Sequence, residues 1–178
     1  LQKLIWPLLL SLKKEQTIIF CSSPGKVSRL STEYKNYLIK KGVKPYMSVP
    51  LIEWIDVHIN KNWHLAKSLR YGIGIHDGSL PKHINSSIIS YFNDNKLNCL
   101  FCTTTIIEGV NTSTKNIIYF DDTKGKNIQI DYFDYSNIKG RAGRMMVHFV
   151  GKIYNFNKPP EFEQVKIDIP FFEQNPIS

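Results

Sequence analysis

Short apolar runs rich in β-branched residues alternate with longer segments of helical period, and this alternation restricts the chain more than any other feature. "TIIFC" (17–21), "GIGIH" (72–76), "LNCLFCT" (97–103), "NIIYFDD" (116–122) and "GKIYNF" (151–156) have the length and composition of buried strands. After the first, "VSRLSTEYKNYLIKKG" sets Val27, Leu30, Tyr34 and Leu38 at helical spacing, with Gly42 as a stop. "PLIEWIDVHINKNWHLAKSLRYG" predicts one or two further helices, and "PKHINSSIISYFNDNK" predicts another with Pro81 in its first turn. A last helix is expected between the fourth and fifth strands. The pattern predicts an α/β domain whose mostly parallel sheet is covered by helices on both faces.

In such sheets ligands bind beyond the carboxyl ends of the strands. Three segments there carry chemistry: "SSPGK" after the first strand, "HDGSLP" after the second and "TTTIIEGVN" after the third. "SPGKVS" is not a P-loop, because Phe20 stands where the first glycine is needed. It reads as a strand-to-helix turn whose hydroxyls and N–H groups can meet an anion. "GIG" (72–74) lacks the third glycine of a dinucleotide fingerprint. "CLFC" has no second Cys pair to complete a zinc site, and in a strand Cys99 and Cys102 point to opposite faces. The three cysteines, Cys21, Cys99 and Cys102, read as buried thiols of a reducing compartment.

The net charge of +8 suits a polyanionic partner. The apolar run in "LIWPLLLSL" is too short to span a membrane, contains Pro7 and has no basic leader, so neither an anchor nor a signal peptide is expected. The chain opens on Leu1, which reads as a piece of a longer protein. Residues 1–156 form the expected domain; the proline-rich 157–178 have no helical period and read as an extended tail or linker.

"NIKGRAGR" (137–144) combines positive charge with missing side chains. On a helix Asn137, Arg141 and Arg144 stand at i, i+4 and i+7 and share a face with Gly140. Glycine in a helix costs roughly 1 kcal/mol relative to alanine, so the glycines suggest a close approach to the backbone. Two guanidiniums beside that gap can grip phosphate oxygens through paired N–H donors. A solvated basic helix face is the alternative that these residues alone leave open.

In this order the motifs resemble the second RecA-like lobe of superfamily 2 DEAD/DExH-box nucleic-acid helicases, in their Ski-like branch. "TIIFCSS" resembles motif IV, "GIGIHDGSLP" the "HHGGLP"-like segment, "TTTIIEGVN" motif V and "NIKGRAGR" motif VI, over roughly residues 15–156. The resemblance implies a RecA-like three-layer fold and catalytic roles for Arg141 and Arg144 as arginine fingers on ATP. It implies nucleotide contacts for Gly109, Asn111, Asn137 and Gly140, and contacts to a single-stranded DNA or RNA for Ser22, Gly78, Thr103 and Thr104. Asn137 stands where the family carries Gln or His, and "HDG" replaces the commoner double His. No GKT-type P-loop and no DExH box occurs in the 178 residues. The resemblance therefore assigns ATP and Mg2+ mainly to a first lobe of the same full-length chain, acting as a cytoplasmic helicase or translocase. The rival reading is a RecA-like nucleic-acid-binding scaffold without a motor. A nuclease lacks its acidic metal cluster: Asp121, Asp122, Asp131 and Asp134 are spaced like loop and helix-cap residues.

Overall fold

A computed structural model of the chain describes residues 2–106, 114–125, 128–143 and 151–162. Strands β1 (Thr17–Phe20), β2 (Ile73–His76), β3 (Cys99–Cys102), β4 (Asn116–Tyr119) and β7 (Lys152–Asn155) form one sheet in the order β2-β3-β1-β4-β7. Every pairing in it is parallel. Four of the five strands are buried along their whole length, which explains their near-continuous apolar runs: a parallel sheet has no wet face to require alternation.

Helices α1 (Gln2–Ser11), α2 (Pro24–Lys40), α3 (Pro50–Ile55), α4 (His64–Leu69), α5 (Lys82–Asn93) and α6 (Tyr132–Lys139) surround the sheet. The register sorts their packing. Ile75, Phe101, Ile19 and Ile118 are lateral neighbours and share one face. Tyr34 of α2 packs on Phe101 there, with ring centroids 6.3 Å apart. Gly74, Leu100, Ile18 and Ile117 share the opposite face, where Ile88 of α5 lies close to Gly74. Tyr135 of α6 meets Tyr119 on that second face at 5.0 Å. Helices on both faces make the expected three-layer α/β domain. Cys99 and Cys102 fall on opposite faces, both buried and free. No helix among the described residues is long and apolar enough to cross a membrane.

Two features lie outside the sequence expectation, and one differs from it. The opening apolar run is a helix despite Pro7 inside it. Burial of Ile5 and Leu9, and stacking of Trp6 on Tyr34 at 5.8 Å, favour helix where local propensity does not. A small antiparallel hairpin, β5 (Thr123–Lys124) with β6 (Ile128–Gln129), sits between β4 and α6. Helix α6 ends at Lys139, so Arg141 does not continue the helical face of Asn137. Gly140 caps the helix, and the Arg141 and Ala142 N–H groups bond back to Ile138 and Lys139 at 3.1 and 2.9 Å. Ala142 then pairs with Thr114 in a parallel bridge. Gly143 takes a φ of +74°, a left-handed conformation natural to glycine. Its missing side chain serves a turn in the chain.

Candidate functional site

The carboxyl edge of the sheet gathers the segments that follow β1, β2, β3 and β4. Ser23 caps α2, its hydroxyl accepting the Lys26 N–H at 3.4 Å, with Pro24 in the first turn. Such a cap contributes about 1 kcal/mol. The Lys26 ammonium turns back to pair with Asp121, which stands two residues beyond β4. The other carboxylate oxygen of Asp121 accepts the Ser22 N–H at 2.7 Å, and the Ser22 carbonyl accepts from Gly125 at 3.0 Å. Asp121 is only 5 % exposed. It therefore clasps the turn after β1 to the end of β4. The Ser22 N–H that the sequence offered to an anion is already occupied by a carboxylate of the same chain.

The turns after β2 and β3 also meet. A Cβ on Gly78 would lie 3.4 Å from the Thr105 methyl. Asp77 shapes the first turn, accepting the Ser79 N–H at 2.8 Å and the Ser79 hydroxyl at 2.5 Å. After β3 the chain enters a 3-10 turn, Thr104–Ile106, closed by the Ile106 N–H on the Thr103 carbonyl. That turn folds Thr105 over Thr103, and their hydroxyls lie 3.0 Å apart. Thr103 is consequently buried, its N–H bonded to the His76 carbonyl. Its hydroxyl points into this network. Thr104 and Thr105 are the half-exposed members. The Thr105 hydroxyl meets His76 Nδ1 at 3.5 Å. Burial holds the His76 imidazole below its ordinary pKa, and the neighbouring Asp77 carboxylate opposes that shift.

The candidate nucleotide residues lie elsewhere. Helix α6 starts at the carboxyl edge, where Asp131 caps it by accepting the Asp134 N–H at 2.7 Å and Ile130 bonds to the Asp122 carbonyl. It runs back across the sheet and delivers Arg141 to the amino edge. There Thr114 donates its N–H to the Arg141 carbonyl at 3.0 Å and accepts from Gly143 at 2.9 Å. The Thr114 hydroxyl donates to the carbonyl of Gln16, the residue before β1. Asn137 is half-buried in the last turn of α6, and Gly140 is exposed. Burial pushes the Cys102 thiol pKa up, and the Arg141 guanidinium is near enough to oppose it. Gly109, Asn111 and Arg144 lie outside the described residues.

The site residues thus fall into two groups, Ser22, Gly78, Thr103 and Thr104 at the carboxyl edge, and Asn137, Gly140 and the Arg141 backbone along and just past the end of α6. The sequence reading missed the Asp121–Lys26–Ser22 clasp; the position of Asp121 just past a strand was its one available signal. Among the described residues no group of three His, Cys, Asp or Glu side chains could hold a metal ion.

A parallel five-stranded sheet sandwiched by helices, with motif-bearing turns at both edges, defines a RecA-like α/β lobe. Residues 40–146 match the helicase conserved C-terminal domain. The chain belongs to that family, as the second lobe of a superfamily 2 DExH-box helicase. It is 41 % identical over 157 residues to anti-bacteriophage protein B of Escherichia coli, a match covering 88 % of this chain and 21 % of that protein. It is 26 % identical over 152 residues to activating signal cointegrator 1 complex subunit 3 of Dictyostelium discoideum, covering 78 % of this chain and 7 % of that protein. To the human exosome RNA helicase MTR4 it is 32 % identical over 84 residues, 46 % of this chain and 8 % of that protein. The chain thus spans about a fifth or less of the relatives it matches.

Proposed function

We propose that this lobe is half of an ATP-driven motor that moves along single-stranded DNA or RNA. A first lobe of the full-length protein would hold Mg·ATP, and this lobe would close on it. The observation that carries the reading is the pinning of Arg141. Its carbonyl accepts the Thr114 N–H, and Gly143 two residues on donates to the Thr114 carbonyl, so the end of the motif VI helix is held against the segment that enters β4. The donor set here is cationic and lacks a carboxylate cluster among the described residues. It suits phosphate oxygens and leaves the Mg2+ ligands to the first lobe. Arg141, with Arg144, would stabilise the charge that develops in phosphoryl transfer, while Gly109, Asn111, Asn137 and Gly140 line the approach to the nucleotide. Ser22, Gly78, Thr103 and Thr104 would set the strand-binding edge, with Thr103 bracing Thr105 from beneath.

The test is ATP turnover by the full-length protein with single strands present. Arg141→Ala lowers it about 10³-fold or more. Arg141→Lys rescues poorly, because an ammonium cannot make the paired contact. Strand binding without nucleotide survives both changes. Turnover that stays near wild type while strand binding collapses overturns the assignment. A full-length wild type that binds strands and never turns over ATP is the scaffold. The Escherichia coli relative is named for action against bacteriophage, and the full-length protein is proposed to serve the same end. Loss of phage resistance in cells carrying the Arg141→Ala protein would join the motor to that role; unchanged resistance would separate them.

A further inference from the structure

The residues proposed to hold the strand stand beyond three neighbouring strands. In the spatial order of the sheet they are Ser22 beyond β1, Thr103 and Thr104 beyond β3, and Gly78 beyond β2. Neighbouring strands lie about 4.8 Å apart, so this line is about 10 Å long. It ends at β2, the edge strand.

An aromatic cluster lies just past that end. His83 is in the first turn of α5, and Asn85 of the same turn donates to the Asp77 carbonyl at 2.8 Å. That turn therefore belongs to the same carboxyl edge. The Trp54 ring meets His83 edge-on, with centroids 5.6 Å apart at 83°, and lies against His58 at 5.4 Å and 35°. Yet Trp54 is 40 % exposed. Its setting is made by α3 passing into a π-helical turn, Asp56–Asn60, none of whose five residues is buried. Such turns are rare and recur at functional sites. An ion pair from Arg70 to Asp56, at 2.5 Å, ties the turn to the end of α4. Exposed Lys61 and Lys82 follow the turn and precede His83.

We infer that Trp54, its ring propped by His58 and His83, is a stacking platform for a base of the single strand as it leaves the edge beyond Gly78. The inference rests on the strand-binding reading above. Every base presents a flat π face, so a fixed aromatic ring takes a base of any sequence. Exposed Lys61 and Lys82 outnumber the exposed Glu53 beside Trp54, and suit a phosphate chain better than an apolar protein surface.

The experiment measures binding of labelled dT and rU oligonucleotides, and of an abasic strand of equal length, to the full-length protein at several salt concentrations. Wild type, Trp54→Ala and Trp54→Phe are compared, with folding checked by urea denaturation. Trp54→Ala weakens binding to at least one base-bearing strand by about 5- to 150-fold, and the strand affected shows whether DNA or RNA occupies the platform. Trp54→Phe restores most of the loss. The abasic strand binds all three proteins alike, and the salt dependence does not change, because a ring releases no counterion. Trp54→Ala binding both base-bearing strands as tightly as wild type overturns the platform and leaves the patch to a protein partner. Equal loss on the abasic strand also overturns it. A wild-type protein that binds no single strand at all removes the strand-binding reading, and the platform with it. Strand binding that survives with Trp54 silent removes only the platform.

Discussion

Replacing Gly151 by alanine presses directly on the geometry that holds Arg141. A Cβ at Gly151 would lie 2.4 Å from the Ala142 carbonyl carbon, 2.6 Å from the Gly143 nitrogen and 2.7 Å from the Ala142 oxygen. Carbon atoms pack favourably at about 3.5–4.0 Å, so one segment must retreat by roughly 1 Å. Both are held. Thr114 bonds to Arg141 and Gly143 on one side, and Lys152 donates to the Lys115 carbonyl at 2.9 Å on the other. Overpacking costs about 1–3 kcal/mol, and the upper half applies because the obstacle is main chain. Alanine returns about 0.4–1 kcal/mol by restricting the unfolded chain. The net expectation is a loss of about 1–2.5 kcal/mol. Urea denaturation of the lobe reads this as a midpoint lower by roughly 0.5–1.5 M with an unchanged slope. Trimming Ala142 to glycine in the same chain should restore nothing, since no Ala142 side-chain atom makes the clash. An unchanged midpoint, or rescue by Ala142→Gly, refutes the reasoning.

Asp121→Ala removes the acceptor of both the Ser22 N–H and the Lys26 ammonium. It should cost about 2–4 kcal/mol in urea denaturation, less than a fully buried pair because Lys26 is one-third exposed. Asp121→Asn, which keeps an acceptor for Ser22, should cost less, and equal losses would refute the clasp. His76 has its pKa lowered by burial in the folded state, and His64 shifts in the same direction by the same main cause. Their stability contribution is full above the unfolded value near 6.5 and is lost as pH falls through it toward the folded pKa values. The Tm should therefore fall on acidification from pH 7.5 to 5.5, and His76→Gln should shrink that fall; a Tm that rises would reverse the sign of the argument. The purified 178-residue chain should not turn over ATP with or without single strands, because the P-loop and DExH box are absent from it. Measurable strand-stimulated turnover would overturn that expectation.

The parallel sheet was legible because its strands are buried on both faces and their apolar runs are nearly unbroken. Helix α2 was legible from one apolar stripe, and Val27, Leu30, Tyr34 and Leu38 are all buried beneath it. Asp131 was legible as a cap because capping is local. What escaped the sequence depends on distant partners. Helix α1 carries a proline and gains its order from Tyr34 and the core. The path of the chain beyond the end of α6 is held by Thr114, which bonds to Arg141 and Gly143 from 27 and 29 positions earlier. Asp121 becomes a clasp only because Lys26 and Ser22, 95 and 99 residues away, arrive beside it.

Helix α6 leaves the lobe with no slack between its two edges. Eight residues make it about 12 Å long, too short to absorb a bend. One end is fixed through Ile130 to Asp122, the other through Arg141 to Thr114. Both anchors belong to the chain that flanks β4, so helix and strand form one closed frame, and the distance from the Asp131 end to the Arg141 backbone is fixed by the length of that strand.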